Sequence, residues 1–81
     1  MNNKHHKDFC KSFGSQIRKL RLLKGYGLRE FALFTDMEYS QLSKIERGVT
    51  STTLNTMLNL CVALKVSHQD LFDFKFEIPK T

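Results

Sequence analysis

The segment Met37 to Gly48, "MEYSQLSKIERG", sets Tyr39, Ser40, Ser43, Lys44 and Arg47 opposite an apolar pair, Leu42 and Ile45, three residues apart. That spacing predicts an amphipathic helix with one face for a core and one for something outside it. The outward groups are rich in hydrogen-bond donors. Lysine and arginine give charge-assisted bonds to oxygen or ring-nitrogen acceptors, serine donates or accepts, and Gln41 does both. Tyr39 adds an aromatic face that packs on a methyl group and a hydroxyl that reaches a phosphate. This is the chemistry of recognition rather than of bond-breaking.

Catalytic and metal-binding patterns are missing from the rest of the sequence. His5, His6 and His68 are not spaced with thiols or carboxylates as a metal site needs, and no glycine-rich loop is placed to cradle a phosphate. No enzyme activity, cofactor or metal is therefore expected. Cys10 and Cys61 are far apart and form no C-x-x-C pair. Cys61 sits in an apolar helical pattern, where a free thiol behaves as a small hydrophobe.

The outward face needs a partner, and the charge distribution indicates its kind. The 81-residue chain has a formal charge of +5. Met1 to Arg47 holds ten Lys or Arg against five Asp or Glu, whereas Gly48 to Thr81 holds three against three. A one-sided basic surface suits a polyanion, first a nucleic acid and second an anionic membrane surface. No apolar run approaches the roughly 20 residues that span a bilayer, and no signal peptide is recognisable, so the expected location is cytoplasmic, associated with the nucleoid through its ligand. With 41% hydrophobic residues the composition is that of a folded domain.

Several elements must position that face. Residues 1–7, "MNNKHHK", are polar and basic without hydrophobic period and read as a flexible basic arm. Phe9, Phe13, Ile17 and Leu20 recur at helical spacing and predict helix 1, stopped near Lys24 by "KGYG". Helix 2 is expected over 28–35, with Leu28, Phe31, Ala32 and Thr35 inward and Ala32 small enough for another helix to cross closely. A turn at "TDM" follows, Asp36 being able to take the left-handed conformation. Gly48 ends helix 3, and hydroxyls in "VTSTT" cap helix 4, whose apolar set is Leu54, Met57, Leu58, Cys61 and Leu64. In "SHQD", Ser67 and Asp70 form a capping box that starts a short helix 5. Finally "FDFKFEI" alternates apolar and charged residues, placing Phe72, Phe74, Phe76 and Ile78 on one side, and predicts a short C-terminal strand. The fold class is all-α, a compact five-helix domain over 8–73 with a tail over 74–81.

Two short helices joined by a tight turn, the second polar on one face, are the ingredients of a helix-turn-helix. From Phe13 to Phe72 the order of residues resembles the phage Cro and repressor family, also called the xenobiotic-response-element family. The resemblance rests on "IRKLRLLKG", "EFA", "LSKIERG" and "ALKVSHQDLF". It implies that helix 3 enters the DNA major groove, with Tyr39, Ser40, Ser43 and Lys44 toward base edges and Gln41 and Arg47 by the phosphates. It also implies a structural brace, Arg21 with Glu46, tying helix 1 to the end of helix 3.

The sequence departs from the family pattern in three places. Gly27 and Leu28 stand where a capping Ser or Thr and a phosphate-binding Gln are usual, which leaves backbone N–H groups and Arg29 to meet the phosphate. Glu38 caps helix 3 where Ser or Thr is favoured. Leu33 and Phe34 occupy positions usually charged, and are read as an enlarged core in preference to a partner surface.

The resulting expectation is a sequence-specific transcriptional regulator that binds double-stranded DNA as a homodimer on a palindromic operator. Such a chain has no room for an effector domain, so no small-molecule effector is expected, and its own concentration would control it. Phage repressors, restriction–modification controllers and antitoxins all remain open as its type. A protein-interaction module, working through Leu33, Phe34 and the tail, is the alternative. The tail is expected to pack beside helix 5 against the second subunit, as an antiparallel strand pair, rather than back onto its own helices.

Overall fold

Phe13 and Ile17 from the first helix, Phe31 and Ala32 from the second, Leu42 and Ile45 from the third, Leu60 and Leu64 from the fourth and Leu71 from the fifth close into one buried cluster. Each large member contributes about 1.5–3 kcal/mol by leaving water. The computed structural model describes residues 3–80. Its helices are α1 (Asn3–Leu23), α2 (Leu28–Thr35), α3 (Tyr39–Arg47), α4 (Leu54–Leu64) and α5 (His68–Leu71). No strand is present among the described residues.

Local chemistry fixes the ends of these helices. Asp36 takes the left-handed conformation at φ 54° and closes α2, while the Met37 N–H donates back to Ala32 O at 3.2 Å. The Thr35 hydroxyl is buried and satisfied by Phe31 O and Ala32 O, both at 3.1 Å. Thr53 caps α4 by accepting from Thr56 N–H, and the Ser67–Asp70 capping box opens α5 with bonds of 3.3 and 3.0 Å. Gln16, buried on α1, donates to Asp70 O at 2.8 Å and ties the first helix to the fifth.

The structure corrects the sequence reading at both ends. The stretch read as a flexible arm is helical from Asn3 onward, continuous with α1; the remainder of that reading, Met1 and Asn2, lies outside the described residues. No glycine or proline interrupts residues 3–8, and extending an existing helix costs far less than nucleating one. The expected strand is also absent. Phe72, Phe74 and Phe76 instead gather round Phe9 of α1, with ring centroids at 6.3, 5.7 and 4.9 Å. Period-two alternation supplies one apolar side but no partner strand for its backbone; against α1 Phe74 and Phe76 become half-buried, while Phe72 stays exposed.

The enlarged core at Leu33 and Phe34 is not formed. Leu33 is 82% exposed and Phe34 55%, the latter resting edge-on against Tyr26 with centroids 5.0 Å apart. Phe31 and Ala32 already fill the inward stripe of this eight-residue helix.

Candidate nucleic-acid interface

The position of α3 is set by α1. Gly14 lies against the end of α3: a Cβ there would meet Glu46 O at 2.6 Å and Ile45 O closer still. Gly48, at φ 74°, ends α3 and passes so near α1 that a Cβ would meet Lys11 N at 2.6 Å. Two glycines on facing elements thus let α3 settle onto α1 at backbone distance. Sequence reasoning missed Gly14; an isolated glycine inside an otherwise periodic helix was the available signal.

A polar clamp holds the same junction. Arg21 Nε donates to Glu46 Oε2 at 2.7 Å and Nη2 to Oε1 at 2.9 Å, and Nη1 donates to Tyr26 O at 2.8 Å. The side chains of the ion pair are 8% and 6% exposed. The bond to Glu46 holds the Arg21 guanidinium above its ordinary pKa, against the opposing effect of burial. A bidentate geometry fixes angle as well as distance, so the last turn of α3 cannot roll on α1 without breaking both bonds.

On this anchored helix Leu42 and Ile45 face the core, and Ser40, Lys44 and Arg47, spaced four and three apart, are exposed on the opposite side. Tyr39 and Gln41 are exposed on the two flanks. Arg29, from the second position of α2, lies over the Tyr39 ring, its Cζ 4.5 Å from the centroid. That cation–π contact joins the start of α2 to the start of α3 and gives a long arginine a defined position. Ser43 differs from its neighbours. It is half-buried, and its hydroxyl accepts from Arg47 Nε at 3.3 Å. Ser43 and Arg47 line a groove with Arg18 and Leu28, where the N-terminus of α2 opens. Neither Gly27 nor Glu38 caps its helix through a side chain, so the first N–H groups of α2 and α3 remain available to an outside acceptor.

No cluster of three or more His, Cys, Asp or Glu suited to a metal ion occurs among the described residues. Nor is any helix among them long and apolar enough to cross a membrane. What the arrangement can do is present donors of two kinds: flexible side chains on a rigid outward ridge, and backbone N–H groups with arginines at its flank. The first suits the edges of bases and the second suits phosphates.

The residues 17–71 match the family described as helix-turn-helix, and the chain belongs to that family of DNA-binding transcriptional regulators. It is 35% identical over 63 residues to the control protein C.BamHI of Bacillus amyloliquefaciens, covering 76% of this chain and 78% of that one. It is 38% identical over 61 residues to the HTH-type transcriptional regulator SlrR of Bacillus subtilis (strain 168), covering 74% of this chain but 40% of that longer protein. Among solved structures, the restriction-modification controller protein C.AhdI from Aeromonas hydrophila superposes with a TM-score of 0.78 at 29% identity, covering 80% of this chain and 98% of that one.

Proposed function

We propose that the protein is a cytoplasmic regulator of the restriction–modification controller type, binding a palindromic operator in duplex DNA as a homodimer. The observation that carries this reading is the outward line of Ser40, Lys44 and Arg47 on a helix clamped to α1 by Arg21 and Glu46. In the major groove Lys44 donates to guanine O6 or N7, Ser40 exchanges hydrogen bonds with base edges, and Tyr39 packs on a thymine methyl. Ser43, while accepting from Arg47, keeps its O–H free to donate to a base edge. Arg29, Gln41 and Arg47 hold the phosphates, Arg29 beside the open N-terminus of α2. The relatives that are controllers by name, and the length shared with them, support this type.

A dimer needs a second surface, and α4 has one. Leu54, Leu58 and Val62, four residues apart, are all exposed on the side away from Leu60 and Leu64. Pairing that stripe with its copy removes three large apolar side chains from water and leaves α3 free. No small-molecule effector enters this reading; concentration sets occupancy through dimerisation.

Selection of bound fragments from sheared genomic DNA, followed by footprinting, tests the proposal. The expected result is a protected site of two inverted half-sites about 34 Å apart, one duplex turn, bound by a species twice the chain mass. Bound fragments without a shared sequence, or a single half-site protected by a monomer, would overturn it. The exposure of Leu33 and Phe34 favours a second reading, a module that holds a protein partner on α2; a second chain that co-purifies, and is lost in Leu33→Ser/Phe34→Ser, is its signature.

A further inference from the structure

A second basic groove lies beyond the end of α3. Its walls are Lys7 and Lys11 of α1 on one side and Gly48, Thr50 and Ser51 on the other. No carboxylate lines it, and both lysines are exposed. The loop wall, Val49 to Thr53, has hydroxyls but no charge of its own.

The placement of the lysines is not arbitrary. Lys7, Lys11, Gly14 and Arg18 follow at intervals of four, three and four, so they lie along one stripe of α1. Gly14 is where α3 crosses, as its contact with Glu46 O shows. Lys7 and Lys11 therefore stand on one side of the recognition helix, and Arg18 on the other, in the groove it shares with Arg47 and Leu28. At about 1.5 Å rise per residue, Lys11 and Arg18 are separated by about 10 Å along the axis. A major groove is about 12 Å wide and has a phosphate strand on each lip.

We infer that Lys7 and Lys11, with the Thr50–Ser51 loop, form a second sugar–phosphate site, so that α1 grips both backbone strands flanking the groove that α3 enters. This inference rests on the DNA-binding reading above and extends the contact surface beyond the helix-turn-helix to the helical extension of α1. The Lys7 and Lys11 ammonium groups supply the charge, and the Ser51 hydroxyl and the backbone N–H groups of Thr50 and Ser51 supply directed bonds to phosphate oxygens, the Thr50 hydroxyl being turned to Ser51 O at 3.4 Å. Such contacts carry no base information, so they raise affinity for every duplex alike.

The test is the affinity of the full chain for a mixed-sequence duplex and for its selected operator across a range of salt, comparing the parent with Lys7→Gln/Lys11→Gln. Each phosphate contact contributes about 0.9 to the slope of log K against log salt, so the double variant is expected to lower the slope by about 1.8. Its ratio of operator to mixed-sequence affinity should stay at the parental value, and Lys7→Arg/Lys11→Arg should keep the parental slope. Thermal melting of the double variant controls for folding. An unchanged slope with a lowered melting temperature would mean that the lysines serve only the negative C-terminal end of α3, and would overturn the inference. An unchanged slope and melting temperature would overturn it equally. If the parent itself shows no salt-dependent duplex binding, the DNA-binding reading fails instead.

Discussion

Replacing Glu46 by alanine isolates the junction on which the position of α3 depends. The substitution removes both acceptors of a bidentate bond, at 2.7 and 2.9 Å, from an Arg21 side chain that is 8% exposed in the parent, and leaves only Tyr26 O accepting from its guanidinium. Stripping one member from a fully buried pair costs about 3–5 kcal/mol. The retained carbonyl bond, and the position of Glu46 at the edge of the core, place the expected loss lower, at about 2–3 kcal/mol. For a domain of this length that lowers the melting temperature by about 10–20 °C, since each kcal/mol is worth about 4–8 °C. Helical circular dichroism against temperature and urea reads it directly. The matching control is Arg21→Met/Glu46→Leu, which removes both charges and is expected to recover most of the loss, because apolar replacements of similar volume avoid an uncompensated charge. A Glu46→Ala variant within 0.5 kcal/mol of the parent would refute the clamp, about 0.5 being what surface substitutions show. If that stable variant also bound DNA poorly, Glu46 would act at the interface instead.

Lys44→Ala and Ser40→Ala should each relax base preference at particular operator positions, by about 1–3 kcal/mol, in competition binding against substituted sites. Arg29→Ala should weaken all duplexes alike and lower the salt slope by about one; a change in preference would mean that it reaches the bases through Tyr39. Gly14→Ala drives a methyl into the Glu46 and Ile45 carbonyls and should destabilise the fold by about 1–3 kcal/mol or more in urea denaturation. Leu58→Glu should give a folded monomer in sedimentation, while removing residues 74–81 should lower the melting temperature by stripping Phe74 and Phe76 from Phe9 and leave the dimer intact. Burial, then Asp70, pushes the Cys61 thiol up, so its thiolate fraction at mildly alkaline pH is small and native alkylation should be slower than that of a free thiol by mass spectrometry.

Where the sequence was informative, the deciding interactions were local. Asp36 in the left-handed turn, Gly48 at the end of α3, and the Ser67–Asp70 box all act within four residues, and their types announce them. Hydrophobic spacing likewise marked Phe31, Leu42, Ile45 and Leu64 as core. The misread parts depend on distant partners. Nothing near residues 72–78 reveals that Phe72, Phe74 and Phe76 will gather round the Phe9 ring, so alternation alone suggested a strand. The polar stretch from Asn3 lacks a hydrophobic stripe because it projects past the core, which made a helix look like an arm. Leu33 and Phe34 could be core or surface until the packing of Phe31 and Ala32 left no room inside. At the site, the outward positions of Ser40, Lys44 and Arg47 follow from helical period, but the Ser43–Arg47 bond and the seating of Arg29 on Tyr39 need the actual distances between elements.

Contact of duplex DNA with the outward face of α3 and the start of α2 is read out by amide chemical-shift mapping as the selected operator duplex is added to labelled protein. The largest changes are expected at Arg29, at Tyr39 to Lys44 and at Arg47, with Leu60, Leu64 and Leu71 almost unmoved. Changes confined to Leu33, Phe34 or the exposed side of α4, with Ser40 and Lys44 silent, would contradict it.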